Sequence, residues 1–230
     1  MGAMTIKKTG AQIVYFESEG RQNLDEVLRI IKKILQKRQE LRSRKLVIFT
    51  AEGQGPAMAY NKLREFRPKM IAVTFPVHFS VKQPDSDVRF FPRISEEIRA
   101  FFSGVKIEVV VPPTLPFDLI DGMDAHNQQV QLIAQTIAMF GSGFGLCIQG
   151  VLRACDVGLL EEGEQVIAMS GDTAGLFVAS TTNHFLNKAK GLQVQEIFCK
   201  PHNLTISRPA PKRLENSQEK RILEGKISSE

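Results

Sequence analysis

Only three cysteines occur in the 230 residues, Cys147, Cys155 and Cys199, and they lack the spacing of a zinc site or a disulfide frame. They read as buried packing thiols of a reducing compartment. No apolar run approaches the length of a membrane span, and no secretory hydrophobic segment is present. The chain therefore reads as cytoplasmic, without a membrane partner. No Walker motif, GxGxxG fingerprint, GxSxG elbow, HExxH pair or Cys–His arrangement occurs, and there is no internal repeat. The formal charge is +5, of which residues 207–230 contribute +2. Basic residues alternate with acidic ones, and no basic platform interleaved with aromatics appears. Nucleic acid is therefore not the expected partner.

What is present is a sizeable apolar fraction, 43%, and an alternation of short apolar runs with helical stripes. Runs at 12–16, 45–49, 70–75 and 106–111 read as strands, and so do 164–169, 175–180 and 192–198. Several are almost continuously apolar, as in strands covered on both faces. Between them lie helical segments at 56–66, 94–103, 124–140 and 145–156, with a short helix capped by Ser or Thr within 180–189. An earlier helix carries apolar residues at 24, 27, 28, 31, 34 and 35, with Asn23 as its cap. Its basic residues, from Lys32 to Arg44, fall largely off that stripe and read as a solvated face. The pattern predicts an α/β domain, a three-layer αβα sandwich with a mostly parallel central sheet. The expected organisation is a cloning scar and N-terminal extension over 1–11, one domain over 12–206, and a polar, mobile tail over 207–230.

The stretch TAEGQGPA, residues 50–57, follows one strand and opens a helix. Ligands of open parallel sheets bind at such strand ends. Gly53 and Gly55 let the backbone turn and approach a ligand, and Pro56 suits a first helical turn. Free N–H groups at a helix start attract an anion. A plain tight turn accounts for the same residues, so both readings stand.

The run from Thr50 to Phe75 resembles the C-terminal domain of pyruvate kinase, through Thr50, Gly53, Arg67-Pro68 and Ala72-Val73-Thr74. The segment 161–171 resembles a later strand and loop of that domain. The chain looks closer still to standalone pyruvate kinase C-terminal-like proteins. The residues behind that likeness are Ile13 to Phe16, Gly20, Asn23, Phe140-Gly141, Gly145, Ala154 to Gly158, and Glu196, Ile197 and Pro201. The resemblance spans about residues 12–202. It implies that phosphoryl transfer is not the activity, since the catalytic barrel of pyruvate kinase has no counterpart here. It implies instead a phosphate-bearing ligand, with flavin mononucleotide or a sugar phosphate as candidates, and a homo-oligomer is the expected assembly. The implied site is Thr50, Gly53, Gln54, Gly55, Thr74, His78, Ser170, Gly171, Asp172 and Thr173. Two departures stand out. Glu52 and Gly55 occupy positions where the resembling loop carries Ser or Thr. The second loop, Ser170 to Thr173, lacks the arginine that would clamp phosphate. A lost charge-assisted contact of this kind weakens binding by about 1.5–3 kcal/mol. The alternative is a structural or regulatory interaction protein whose crevice is vestigial.

Other groups read more simply. Asp121, Asp124 and His126 precede a helix, where Asp is most often a cap. Glu161, Glu162 and Glu164 form a polar turn, and His184 and His202 lack partners nearby in sequence. No catalytic residue and no metal ligand is assigned.

Overall fold

The computed structural model describes residues 12–82, 89–117 and 127–206. The segments 1–11 and 207–230 and the Asp121, Asp124 and His126 cluster lie outside the described residues. The strands are β1 (Val14–Ser18), β2 (Leu46–Phe49), β3 (Met70–Val73), β4 (Val81–Lys82) and β5 (Arg89–Phe90). They continue with β6 (Glu108–Val110), β7 (Gln165–Met169), β8 (Ala174–Val178) and β9 (Gln193–Asn203). The helices are α1 (Leu24–Lys37), α2 (Gln54–Leu63), α3 (Glu96–Gly104), α4 (Asn127–Ile137) and α5 (Ser142–Asp156).

One sheet of seven strands runs in the order β1-β9-β8-β7-β2-β3-β6, and β4 and β5 form a separate small ribbon. Every strand of the large sheet points the same way except β8, which is antiparallel to β7 and β9. The fold is thus α/β, with a mixed and mostly parallel sheet. β8 runs backwards because the link from β7 is four residues long. A link that short joins only antiparallel neighbours, whereas a parallel crossover needs about a dozen residues.

The strands are buried on both faces, which is why they read as unbroken apolar runs. Leu46, Ile48, Met70, Ala72, Ile167 and Met169 face a cluster built by α1, α2 and α3. Their neighbours Val47, Phe49, Ile71, Val73, Val166 and Ala168 face a cluster built by α5. This alternation is the two-residue period of a strand, with a helical layer on each side.

Several local expectations change. Asn23 does not cap α1 with its side chain. A short 3-10 turn, Arg21–Asn23, precedes the helix, and the Asn23 amide donates back to Ser18 O (2.8 Å) and Gly20 O (3.2 Å). α2 begins at Gln54 and α5 at Ser142, each earlier than the sequence pattern suggested. The segment 180–189 holds only a 3-10 turn, Thr182–His184, and the Thr181 hydroxyl serves Glu162 rather than the turn. On the basic run from Lys32 to Arg44, Lys33 and Lys37 are exposed as expected, while Lys32 meets Glu65 and Arg38 meets Glu40 and Glu196.

Candidate functional site

The sheet's connections reverse direction between β2 and β7. From β2 the chain moves outward to β3 through α2 on one face. It returns from β6 to β7 through α5 on the other face. A crevice opens at such a switch point, beyond the carboxyl ends of the strands. Here it is a cavity of about 210 Å3. Thr50, Gln54 and Gly55 line one side, Ser142 and Gly143 another, and Ser170, Gly171 and Asp172 a third. Gly20, Arg21 and Glu52 contribute to the rim, while Phe49, Phe75 and Leu146 supply apolar surface.

The α2 side is held by backbone geometry. Gly53 has φ +91°, a left-handed conformation that favours glycine, and a side chain there would strike Ile98 on α3. Its N–H donates to Thr50 Oγ1 at 3.0 Å. The Thr74 hydroxyl donates to Ala51 O at 3.2 Å and so pins the same loop. The N–H groups of Gln54 and Gly55, in the first turn of α2, have no protein acceptor among the described residues. They open the positive end of that helix to the cavity.

The α5 side is closed instead. Glu19, only 3% exposed, accepts the Ser142 N–H at 2.9 Å, the Ser142 hydroxyl at 3.1 Å and the Ile206 N–H at 2.6 Å. Its carboxylate sits where an external anion would otherwise bind. Asp172 accepts the Gly20 N–H at 2.8 Å and hydroxyl donors from Thr173 at 2.9 Å and Ser170 at 3.4 Å. Asp172 packs so tightly on α5 that a Cβ at Gly143 would fall 1.9 Å from its Oδ1. Burial raises the Asp172 pKa above the ordinary carboxylate value, and the nearby Glu19 charge adds to the rise.

The structure brings together six of the ten residues expected to form the site, namely Thr50, Gln54, Gly55, Ser170, Gly171 and Asp172. Gly53, Thr74 and Thr173 do not line the cavity. Their polar groups are spent on the loop contacts above. His78 lies apart, exposed on a turn beyond β3, because Pro76 and Val77 carry the chain away from the strand end. Gly20, Arg21, Ser142 and Gly143 line the cavity without having been expected there, and Glu19 stands behind Ser142 as its acceptor. Arg21 and Glu52 face each other at 3.6 Å, both well exposed, a weak surface pair.

Elsewhere, His184 is partnered after all. Its Nδ1 lies 2.6 Å from Glu162 Oε1, which also accepts the Thr181 hydroxyl at 2.7 Å. Those bonds hold the Glu162 pKa down at about 2. Glu164 pairs with Lys45 at 3.0 Å, and His202 packs edge-on against Tyr15. The three thiols are free and buried. Burial pushes Cys155 up to about 11 and Cys199 to about 12, and Cys147 also rises, so all three are protonated packing groups at neutral pH. Among the described residues no cluster of three or more His, Cys, Asp or Glu side chains is placed to hold a metal ion. No described helix is long and apolar enough to cross a membrane. No family model matches the chain.

Proposed function

We propose that this chain binds a small phosphate-bearing molecule at the carboxyl ends of β1, β2 and β7, in a fold like that of the C-terminal domain of pyruvate kinase. The observation that carries the reading is the open first turn of α2, with two unpaired amides facing a concave, partly apolar cavity at the switch point. At about 210 Å3 the cavity falls below the roughly 300–1,000 Å3 that drug-sized ligands occupy. It takes a phosphate and a few further atoms. Either candidate, flavin mononucleotide or a sugar phosphate, extends beyond it. A cytoplasmic homo-oligomer belongs to the same proposal.

The competing reading, an interaction protein with a vestigial crevice, draws support from Glu19 and Asp172. These carboxylates already satisfy α5 and Gly20, and with Glu52 they make the cavity electrically unwelcoming to an anion. Native mass spectrometry of gently purified protein, followed by calorimetric titration with inorganic phosphate, separates the two. A stoichiometric phosphate-bearing adduct, or measurable phosphate affinity that tightens in Glu52→Gln, supports the ligand reading. A unit charge about 8 Å away at an effective dielectric of about 40 is worth about 1 kcal/mol, so the gain is roughly fivefold. A bare mass with no heat on titration sinks it, and the same spectrum reports the assembly size.

A further inference from the structure

We propose that the edge of the large sheet beside α1 is a docking site for an extended, acidic segment of another protein, which adds to β9 as a further strand. β9 runs from Gln193 to Asn203, but its outer neighbour β1 covers only part of it. The β1 register begins with Val14 opposite Cys199 and ends with Ser18 opposite Asn203. On its inner side β9 pairs with β8 from Gln193 to Cys199. The outer edge of residues 193–198 therefore has no strand partner among the described residues. Such an edge presents a row of backbone donors and acceptors to a chain that comes alongside.

The edge borders a groove of about 710 Å3 between α1 and the sheet. Val14, Ile30, Ile34, Ile197 and Phe198 supply its apolar surface. In an added strand every second side chain points to the α1 face, so the groove takes the apolar half of an alternating segment. The charges around it select the other half. Glu26, Glu40 and Glu196 line the groove, but arginines already hold them. Arg29 meets Glu26 at 3.0 Å, and Arg38 meets Glu40 at 2.9 Å and Glu196 at 2.6 Å. Lys33 and Lys37, one turn apart on α1, also line the groove. Both are exposed, and neither is ion-paired among the described residues. The unmatched charge is thus positive, as is that of the whole chain at +5. It suits glutamate or aspartate in the partner and draws an acidic segment from a distance. A carboxylate on an acyl chain would satisfy the lysines and the apolar surface but leave the backbone edge unpaired, so a peptide is the better fit.

Fluorescence anisotropy with the full chain tests this, using labelled peptides of about six residues, the usual length of a strand. One alternates valine with glutamate, a second alternates valine with lysine, and a third is the first with every backbone amide N-methylated. The valine–glutamate peptide is expected to bind. N-methylation keeps its side chains but removes its backbone donors, and should weaken it roughly 10-fold or more. The valine–lysine peptide should be weaker by roughly 10-fold. In the double variant Lys33→Glu, Lys37→Glu the order of the two charged peptides should reverse. If that variant does not fold, Lys33→Gln should narrow the gap between them. Failure of the valine–glutamate peptide to bind, equal binding of its N-methylated form, or a charge order that the lysine variants leave unchanged overturns the proposal. So does binding that appears only after residues 1–11 are removed, or only on dilution of a dimer. Those results give the groove to the chain's own N-terminal segment or to a second copy.

Discussion

The first turns of α2 and α5 face one cavity from opposite sides of the sheet, but only the second is closed by the protein's own carboxylate. At α2, a threonine hydroxyl and a left-handed glycine shape the loop, and Gln54 and Gly55 keep free amides. At α5, Glu19 reaches across from the end of β1 and takes both donors of Ser142. The comparison teaches that a glycine-rich strand-to-helix loop does not by itself make an anion site. What decides is whether a buried acid already occupies the amides. Here one terminus is a structural joint, and the amides of the other have no protein acceptor among the described residues.

The joint at α5 is where substitution should cost most. Gly143→Ala places a methyl group 1.9 Å from Asp172 Oδ1, inside any permissible contact. Asp172 must then leave Gly20, Ser170 and Thr173, stranding buried donors. Overpacking costs about 1–3 kcal/mol, and each unsatisfied buried group adds about 1–3 kcal/mol. A loss of about 3–5 kcal/mol is expected in urea denaturation. A change under about 1 kcal/mol would show that Asp172 has room to move. It would also remove the distinction between a locked α5 and an open α2.

Glu19→Ala should cost less, about 2–3 kcal/mol, by leaving the first turn of α5 and the Ile206 amide without their acceptor. It also turns the closed terminus into an open one. Added sulfate should therefore raise the melting temperature of Glu19→Ala more than that of the unaltered protein, since a bound anion stabilises in proportion to occupancy. Equal shifts in the two proteins would mean that Glu19 is not what keeps anions from α5.

Much of the fold was legible because the strands are covered on both faces. Runs such as Leu46 to Phe49 and Met70 to Val73 have no polar side to hide, so periodicity and length alone identify them. The α2 half of the cavity was legible for the same local reason. A strand end, two glycines and a proline are contiguous in the chain. The α5 half was not. Glu19 and Ser142 are separated by 123 residues, and nothing near Glu19 marks it as a buried acid rather than a surface one. Gly143 fell in the link between two expected helices, and only its contact with Asp172 across the fold sets it apart. Thr74 and Thr173 carried the right hydroxyls for a ligand, but those hydroxyls turn inward to hold loops, a choice made by tertiary packing.

The smallest expected effect lies in the pH dependence of Asp172. Burial raises its pKa in the folded state above the 3.8 of a free aspartate, with Glu19 adding to the shift. A raised pKa means that the folded protein favours the protonated form. The stability this group contributes is fully present below pH 3.8 and is lost as pH rises through the elevated folded value. Asp172→Asn removes the titration while keeping an oxygen to accept the Gly20 N–H. The expected outcome is that the variant gains on the unaltered protein as pH climbs from 3.5 to 7, with the two curves parallel above the folded pKa. Denaturation midpoints across that range check it. Parallel curves throughout would mean that Asp172 ionises in the fold as freely as in the unfolded chain. Its hydrogen bonds would then offset its burial completely, and the cavity wall would carry a full negative charge in the pH range where Asp172 is expected to be partly protonated.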